Sequence, residues 1–458
     1  MKKYILYMMS VLLLSGCLDI KLEDQYSDPD AISTTSSARE LLASAYNSLP
    51  RYQMEFSILS DDFVPTNLTG KYAELQNLYT WKEKDMEDLS DNVWSGYYMT
   101  VAVVNTLLPR LENVKPKDDE DKLEKDRIRS EALALKAMCY FDLLRLYGPV
   151  YSEENAAKEG IILHHRLELD FLPRSSVADC VTEIERLLTE ALKVENDAAE
   201  VFYLSTSAVK ALQAEFELYR GNYGAAVSAG LPLLADAESR WTKADYENLW
   251  ADNESADRLF APYIFDSFYT DLCYDRNYGD YFVLNPSVEY AETDVRKDWA
   301  TYQINMNGGQ VATLGKYNRM YYDNSTVRYV NTLRYSGVCF TVAEAYARDD
   351  KPEKAIETVN RLLAAYGAAT LDESLKDEAL LEAILKEKQK EFAGEGCRLF
   401  DLKRYGKPLE RKTNFGAGNS AVISPDDYRW LLPIPPSEYK YNDRITANNP
   451  GWPFLKTN

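Results

Sequence analysis

One stretch narrows the possible folds more than any other. Ala208-x-x-Ala211-Leu212-x-Ala214-Glu215-x-x-Leu218-Tyr219-Arg220-Gly221-Asn222-Tyr223 runs on into Ala225, Ala226 and Val227. Small residues repeated at helical spacing share a face and let a second helix approach closely. Gly221-Asn222 turns the chain between the two helices. A second copy, Val342-Ala343-Glu344-Ala345-Tyr346 followed by Pro352-x-x-Ala355-Ile356, comes more than a hundred residues later. That distance argues against one regular array.

Both stretches are similar to tetratricopeptide hairpins. The rest of the first half also reads as helices. Ser37-x-x-Glu40 has the spacing of a capping box, followed by Leu41, Leu42, Ala45, Tyr46 and Leu49, with Pro50 as the stop. Asp91 opens a second helix through Trp94, Tyr97, Tyr98, Val101, Asn105 and Leu108. Ile128 to Leu143 marks a third, ended by Gly148-Pro149. Val177 to Ala191 marks a fourth, capped by Ser175 or Ser176. Between the two hairpin copies, from about 241 to 334, helical periodicity fades and aromatic residues crowd into Asn-, Asp- and Gly-containing sequence. The chain holds 34 tyrosines, a residue with a flat apolar face and a polar tip that suits both packing and binding. The expected fold is mainly α: a helical scaffold over about 35–240 and 335–403, a loop-rich binding insert over about 241–334, and an irregular segment over 404–458, all in one domain from 35 to 458.

The N-terminus carries an address. Lys2 and Lys3 precede the apolar run Tyr4–Leu14, which is too short to span a bilayer. The run ends in Leu14-Ser15-Gly16-Cys17, a lipobox. Residues 1–16 are read as a signal peptide, Cys17 as the lipidated residue and 17–34 as a tether. Acyl chains anchor by burying methylenes, at roughly 0.8 kcal/mol each. Asp19, Glu23 and Asp24 behind the cysteine favour display at the cell surface. The formal charge of −21 deepens by two when Lys2 and Lys3 leave. Such a chain repels phosphate backbones, so nucleic acid is excluded as a partner. Five cysteines remain after Cys17, widely spaced and without a CxxC pair. They form neither a disulfide framework nor a zinc site, and one disulfide among them stays open. Cys139, Cys180 and Cys339 fall on apolar helix stripes, as buried thiols do.

Two C-terminal stretches carry a family resemblance. Ile384-Leu385-Lys386-Glu387-Lys388-Gln389-Lys390-Glu391-Phe392-Ala393-Gly394-Glu395-Gly396-Cys397-Arg398-Leu399-Phe400-Asp401-Leu402-Lys403-Arg404 resembles the SusD/RagB helix pattern E-R-R-x-E-F-x-x-E-G-x-R-x-x-D-L-x-R. Leu432-Pro433-Ile434-Pro435, Glu438 and Asn449-Pro450-Gly451-Trp452 resemble its closing motif. Trp94…Tyr98…Asn105, Glu131-Ala132-x-Ala134-x-x-Ala137…Tyr147-Gly148 and Arg174-Ser175 agree with it. Lys388-Gln389 departs from the usual arginine pair, and Cys397 from a polar residue. By itself the motif predicts ion pairs of Glu391 and Glu395 with Arg398 and Arg404, and a helix break at Gly394 and Gly396. The resemblance implies an outer-membrane lipoprotein that binds a nutrient, a glycan above all, and delivers it to a SusC-like TonB-dependent transporter. A peptide-binding RagB-type receptor and a surface glycoside hydrolase are the alternatives.

Catalytic signatures are missing from the sequence. His164 and His165 are the only histidines, and neighbours in sequence make poor co-ligands. HExxH, Gly-x-Ser-x-Gly and Walker patterns are absent. The expectation is therefore a binder without catalytic residues, metal or cofactor. The ligand site is expected where two aromatic loop segments meet: Asp61–Trp81, with Asp61, Asp62, Tyr72 and Trp81, and the insert, with Tyr274, Tyr278 and Tyr281. The last three have the spacing of one helical stripe. Trp81 has two readings, a platform ring on an exposed turn or an anchor for its loop.

Overall fold

The computed structural model describes residues 32–455 except 167–170, 199, 252, 263–273, 276–278, 281, 307, 317–328 and 413–419. It is mainly helical. The first half comprises α1 (Thr35–Ser48), α2 (Gln53–Leu59), α3 (Ala73–Tyr79), α4 (Glu83–Asn113), α5 (Asp119–Tyr147) and α6 (Val177–Ala191). Two boundaries differ from the sequence reading. The capping box of α1 is Thr34 with Ser37: the Ser37 amide donates to the Thr34 hydroxyl, and the Thr34 amide donates to Ser37 Oγ, both at 3.2 Å. Thr34 has extended backbone, so the helix closes earlier than the Ser37–Glu40 spacing predicts. Helix α4 begins at Glu83 rather than Asp91 because Glu83 and Asp85 in its first turn complement the positive end of the helix dipole. Ser176 caps α6.

The hairpins are α7 (Thr206–Tyr219) with α8 (Tyr223–Gly230), and α11 (Tyr335–Arg348) with α12 (Pro352–Tyr366). The long gap between them in sequence closes in space. A Cβ on Gly230 would lie 2.7 Å from Val342 Cγ2 and 3.3 Å from Ala214 Cβ, so α8 rests directly on α11. Leu218, Ala226 and Ala345 form an apolar seam across both hairpins. The small residues that define each signature are therefore also what lets one hairpin stack on the other.

The insert leaves and re-enters the scaffold through a paired neck. Strand β2 (Arg258–Phe260) runs antiparallel to β8 (Leu333–Arg334), with Arg258 opposite Arg334. Inside it lie β3 (Tyr274–Asp275) paired with β4 (Gly279–Asp280), β5 (Phe282–Leu284), helix α10 (Val295–Ala300), and the hairpin of β6 (Thr301–Met306) with β7 (Gly309–Leu314). Helix α9 (Lys243–Trp250) precedes the neck. After α13 (Asp377–Phe392) and α14 (Arg398–Tyr405), β9 (Leu409–Lys412) pairs with β10 (Ser420–Ile423).

The C-terminal motif is an interior knot. Gly394 and Gly396 have φ of +80° and +79°, which breaks the helix and turns the acids inward. The expected pairs with Arg398 and Arg404 do not form. Arg334 at the neck donates to Glu391 Oε1 (2.7 Å), Glu395 Oε1 (2.8 Å) and Asp257 Oδ2 (2.8 Å). Lys316 Nζ adds a bond to Glu395 (2.6 Å). Burial opposes the Arg334 charge, but the carboxylates of Glu395, Glu391 and Asp257 more than offset it and hold the guanidinium above its usual range. Arg404 pairs instead with Glu344 (2.7 Å). The closing motif fastens to the first half: Asn449 Nδ2 donates to Tyr147 O (2.9 Å) and accepts through Oδ1 from Arg174 (2.9 Å), and Trp94 Nε1 donates to Glu438 (3.2 Å). Cys139, Cys180 and Cys339 are buried free thiols.

Candidate functional site

The segment Asp61–Trp81 and the insert do meet. Strand β1 (Phe63–Pro65) pairs antiparallel with β5, with Phe63 opposite Leu284 and Pro65 opposite Phe282. Phe282 is buried between the Phe63 and Tyr79 rings, at centroid distances of 6.0 and 5.9 Å. Asn285 extends the joint: its amide donates to Asp62 O and its side chain to Asp61 O, both at 2.8 Å.

The two acids at the start of this segment hold the joint together. Asp61 accepts two bonds from the Arg398 guanidinium (2.7 and 3.0 Å) and one from Gln389 (3.1 Å). Asp62 is fully buried and accepts from the Gly394 amide (3.1 Å), while its Oδ1 has no hydrogen-bond partner. Burial, reinforced by the charge of Asp61, pushes the Asp62 carboxyl up to about 7. Both acids thus tie the first loop to the C-terminal motif. No pattern within residues 61–81 signals this; the hint was the E-G-x-R run of the motif, whose arginine takes Asp61 in place of the nearer acids.

Trp81 is 1% exposed, which corrects its placement on an exposed turn. Its indole donates to Leu59 O (2.9 Å) and its ring meets Trp430 edge to face at 4.8 Å. The ring is an anchor, held in place even though its φ is +55°. Its charged neighbours Lys82, Glu83 and Lys84 are exposed because they open α4, not because Trp81 faces solvent. Tyr72 differs: it is 37% exposed and follows β1 beside exposed Asn67 and Gly70. In the insert, Tyr274 lies opposite Asp280 in the β3–β4 pair, so its backbone is strand rather than helix. Tyr278 and Tyr281 lie outside the described residues.

Two cavities escaped the sequence reading because each is built from segments far apart in the chain. One, of about 150 Å³, has Tyr97, Phe141, Arg145, Glu215 and Phe400 among its lining residues. The Arg145 guanidinium is sandwiched between Phe141 (4.2 Å) and Phe400 (4.1 Å), and it pairs with Asp142 and Glu215. Its Nη1 and Nη2 are taken by Glu215 and Asp142, while its Nε has no hydrogen-bond partner among the described residues. The other is an open groove of about 400 Å³ beside α1. Among the described residues no group of three His, Cys, Asp or Glu side chains is placed to hold a metal.

Comparison with known proteins places this geometry among relatives. The model described as "SusD family" matches residues 191–452, and the one described as "Starch-binding associating with outer membrane" matches residues 21–218. The chain is 24% identical to SusD-like protein P38 of Formosa agariphila, over 94% of this chain and 97% of that one. A SusD superfamily protein from Bacteroides thetaiotaomicron superposes with a TM-score of 0.76 at 24% identity, covering 91% of this chain and all of that one. A SusD-like carbohydrate binding protein from Bacteroides vulgatus superposes with a TM-score of 0.74 at 18% identity, over 90% and 97% of the two chains.

Proposed function

The chain belongs to the SusD family, and on that premise we propose that it is a non-catalytic receptor that captures a neutral glycan at the outer membrane and delivers it to a SusC-like TonB-dependent transporter. The observation that carries this reading is the β1–β5 joint, which ties the segment bearing the exposed Tyr72 to the tyrosine-rich insert on a helical frame. Loops held by a scaffold are where binding residues concentrate. Two likenesses support the glycan and the membrane: the first-half model described as starch-binding and associating with the outer membrane, and the fold shared with a carbohydrate binding protein.

The proposed contacts are Tyr72, Tyr274, Tyr278 and Tyr281, their rings against sugar faces and their hydroxyls on sugar hydroxyls. Both partners start in water, so each polar bond adds little net energy and affinity is modest. Residues 1–16 serve as the signal peptide, Cys17 carries the lipid, 17–34 tether, and 35–458 form the receptor. The receptor closes over the transporter as a lid and releases its ligand inward.

The test is a combined glycan-array and peptide-library screen on soluble protein beginning after Cys17. The expected result is binding of an oligosaccharide that is recovered uncleaved. Shortening of that oligosaccharide would make the protein a hydrolase, and peptide binding alone would make it a RagB-type receptor. In cells, Cys17→Ala should abolish lipid labelling and release the protein from the membrane.

A further inference from the structure

The open groove beside α1 lies outside the Asp61–Trp81 segment. Ala43, Tyr46 and Asn47 of α1 form one wall with Arg51, and Phe202, Tyr203 and Pro262 form the other. Its volume of about 400 Å³ is within the span of small-molecule sites, roughly 300–1,000 Å³.

The rings in it are fixed before any ligand arrives. Tyr203 meets Phe202 edge to face at 4.8 Å and Tyr46 at 5.4 Å. Tyr46 is buried; its hydroxyl donates to Glu131 (2.9 Å) and accepts from the Leu204 amide (3.0 Å). The Arg39 guanidinium lies 5.7 Å from the Tyr203 centroid and is itself paired with Glu124 (2.7 Å) and Glu131 (2.8 Å). The wall is also continuous with the insert neck: the Ala261 amide donates to Val201 O (2.8 Å), and the Val330 amide to Pro262 O (2.9 Å). Phe202 and Tyr203 are half-buried, and Asn47 is exposed at the rim.

We infer that this groove is a second sugar subsite, taking a pyranose ring of the same neutral glycan; the inference rests on the glycan reading above. The half-exposed rings of Phe202 and Tyr203 offer apolar surface to the C–H face of a sugar. The Asn47 amide can both donate to and accept from hydroxyls. The formal charge of −21 sets the whole surface against an anionic sugar. A pre-formed site avoids the cost of ordering side chains on binding. Two subsites on one rigid frame raise the affinity for a long chain without new contacts, provided the chain spans both.

Calorimetry on the soluble receptor beginning after Cys17 tests this, with maltoheptaose, laminarihexaose, xylohexaose and mannohexaose as probes. Wild type should bind at least one of them at two sites per chain. Tyr203→Ala should remove one binding event and weaken retention of the corresponding polysaccharide about tenfold, the effect of losing part of one buried ring. Because Tyr203 also packs on Tyr46, Asn47→Trp provides a second variant: it fills the groove from an exposed position and should give the same loss with an unchanged melting temperature. A probe that binds with the same stoichiometry and affinity in wild type and Asn47→Trp overturns the subsite and leaves the glycan reading standing. Failure of wild type to bind any of the four overturns both.

Discussion

Arg334 and Glu391 meet at 2.7 Å with neither side chain in contact with solvent. The first stands where the insert rejoins the scaffold, the second on the C-terminal motif. Their pairing fixes the base of the proposed ligand-bearing segment to the part of the chain most diagnostic of its family. Buried ion pairs contribute little net stability compared with apolar packing, but removing one partner strands the other.

Arg334→Leu is expected to lose about 3–5 kcal/mol, since Asp257, Glu391 and Glu395 would be left with only Lys316, bonded to Glu395, and Arg296, 3.9 Å from Glu391, as close cations. Urea denaturation followed by circular dichroism measures this. A loss under 1 kcal/mol would mean that the knot is not what holds the neck.

Asp62 predicts a pH dependence. Its folded carboxyl is pushed up to about 7 from an ordinary 3.8, by burial first and the Asp61 charge second, with Gly394, Arg398 and Lys316 acting in the other direction. Between those values the folded protein holds a proton that the unfolded chain has released. This group's contribution therefore falls as pH rises from about 4 to 7 and is flat above. Asp62→Asn should remove that fall, gaining on wild type by on the order of 2–4 kcal/mol between pH 4 and 8. Glu55, pushed by burial to about 7 as well, titrates in both proteins, so the difference between them isolates Asp62. Parallel stability curves would contradict the assignment.

Trp81 and Tyr72 should separate stability from binding. Trp81→Ala removes a buried ring and one of the two donors to Leu59 O, the other being Arg411, an expected loss of about 3–5 kcal/mol. Tyr72→Ala should leave the melting temperature nearly unchanged and weaken glycan binding by roughly 1–2 kcal/mol, part of the value of one ring. Thermal melts with calorimetry decide it. The rim assignment fails if Tyr72→Ala binds at full strength.

Helical periodicity and small-residue spacing carried the scaffold, because a helix records its buried face within every turn. Thus Ile184, Leu187 and Leu188 are buried where their spacing places them. Strand pairing is different. The β1–β5 joint is three residues on each side, separated by more than two hundred positions, and nothing local specifies it. Trp81 shows the same limit: its burial comes from Trp430, far along the chain. Of Tyr274, Tyr278 and Tyr281, only Tyr274 falls among the described residues, and there as strand.

Gly396 is expected to tolerate no side chain. Its φ is +79° and a Cβ would lie 2.7 Å from Gln53 Cα. Gly396→Ala combines left-handed strain with a backbone clash, an expected cost of about 2–4 kcal/mol. Gly406, at φ +61° with open space around its Cβ position, is the control: Gly406→Ala should cost about 1–2 kcal/mol, strain alone. Chemical denaturation of the two variants side by side tests the difference.

The neck formed by β2 and β8 has an evolutionary reading. It brings residues 258 and 334 opposite one another, so at that point the scaffold senses two adjacent chain ends rather than the length of what lies between them. Once the ends are held, doubling the intervening chain adds only about 0.6 kcal/mol of closure entropy. Selection can therefore vary the stretches between the insert's anchors, β5 in the joint and Lys316 in the knot, while the stacked hairpins keep their register, so that new specificities arise on an old frame without the frame being refolded.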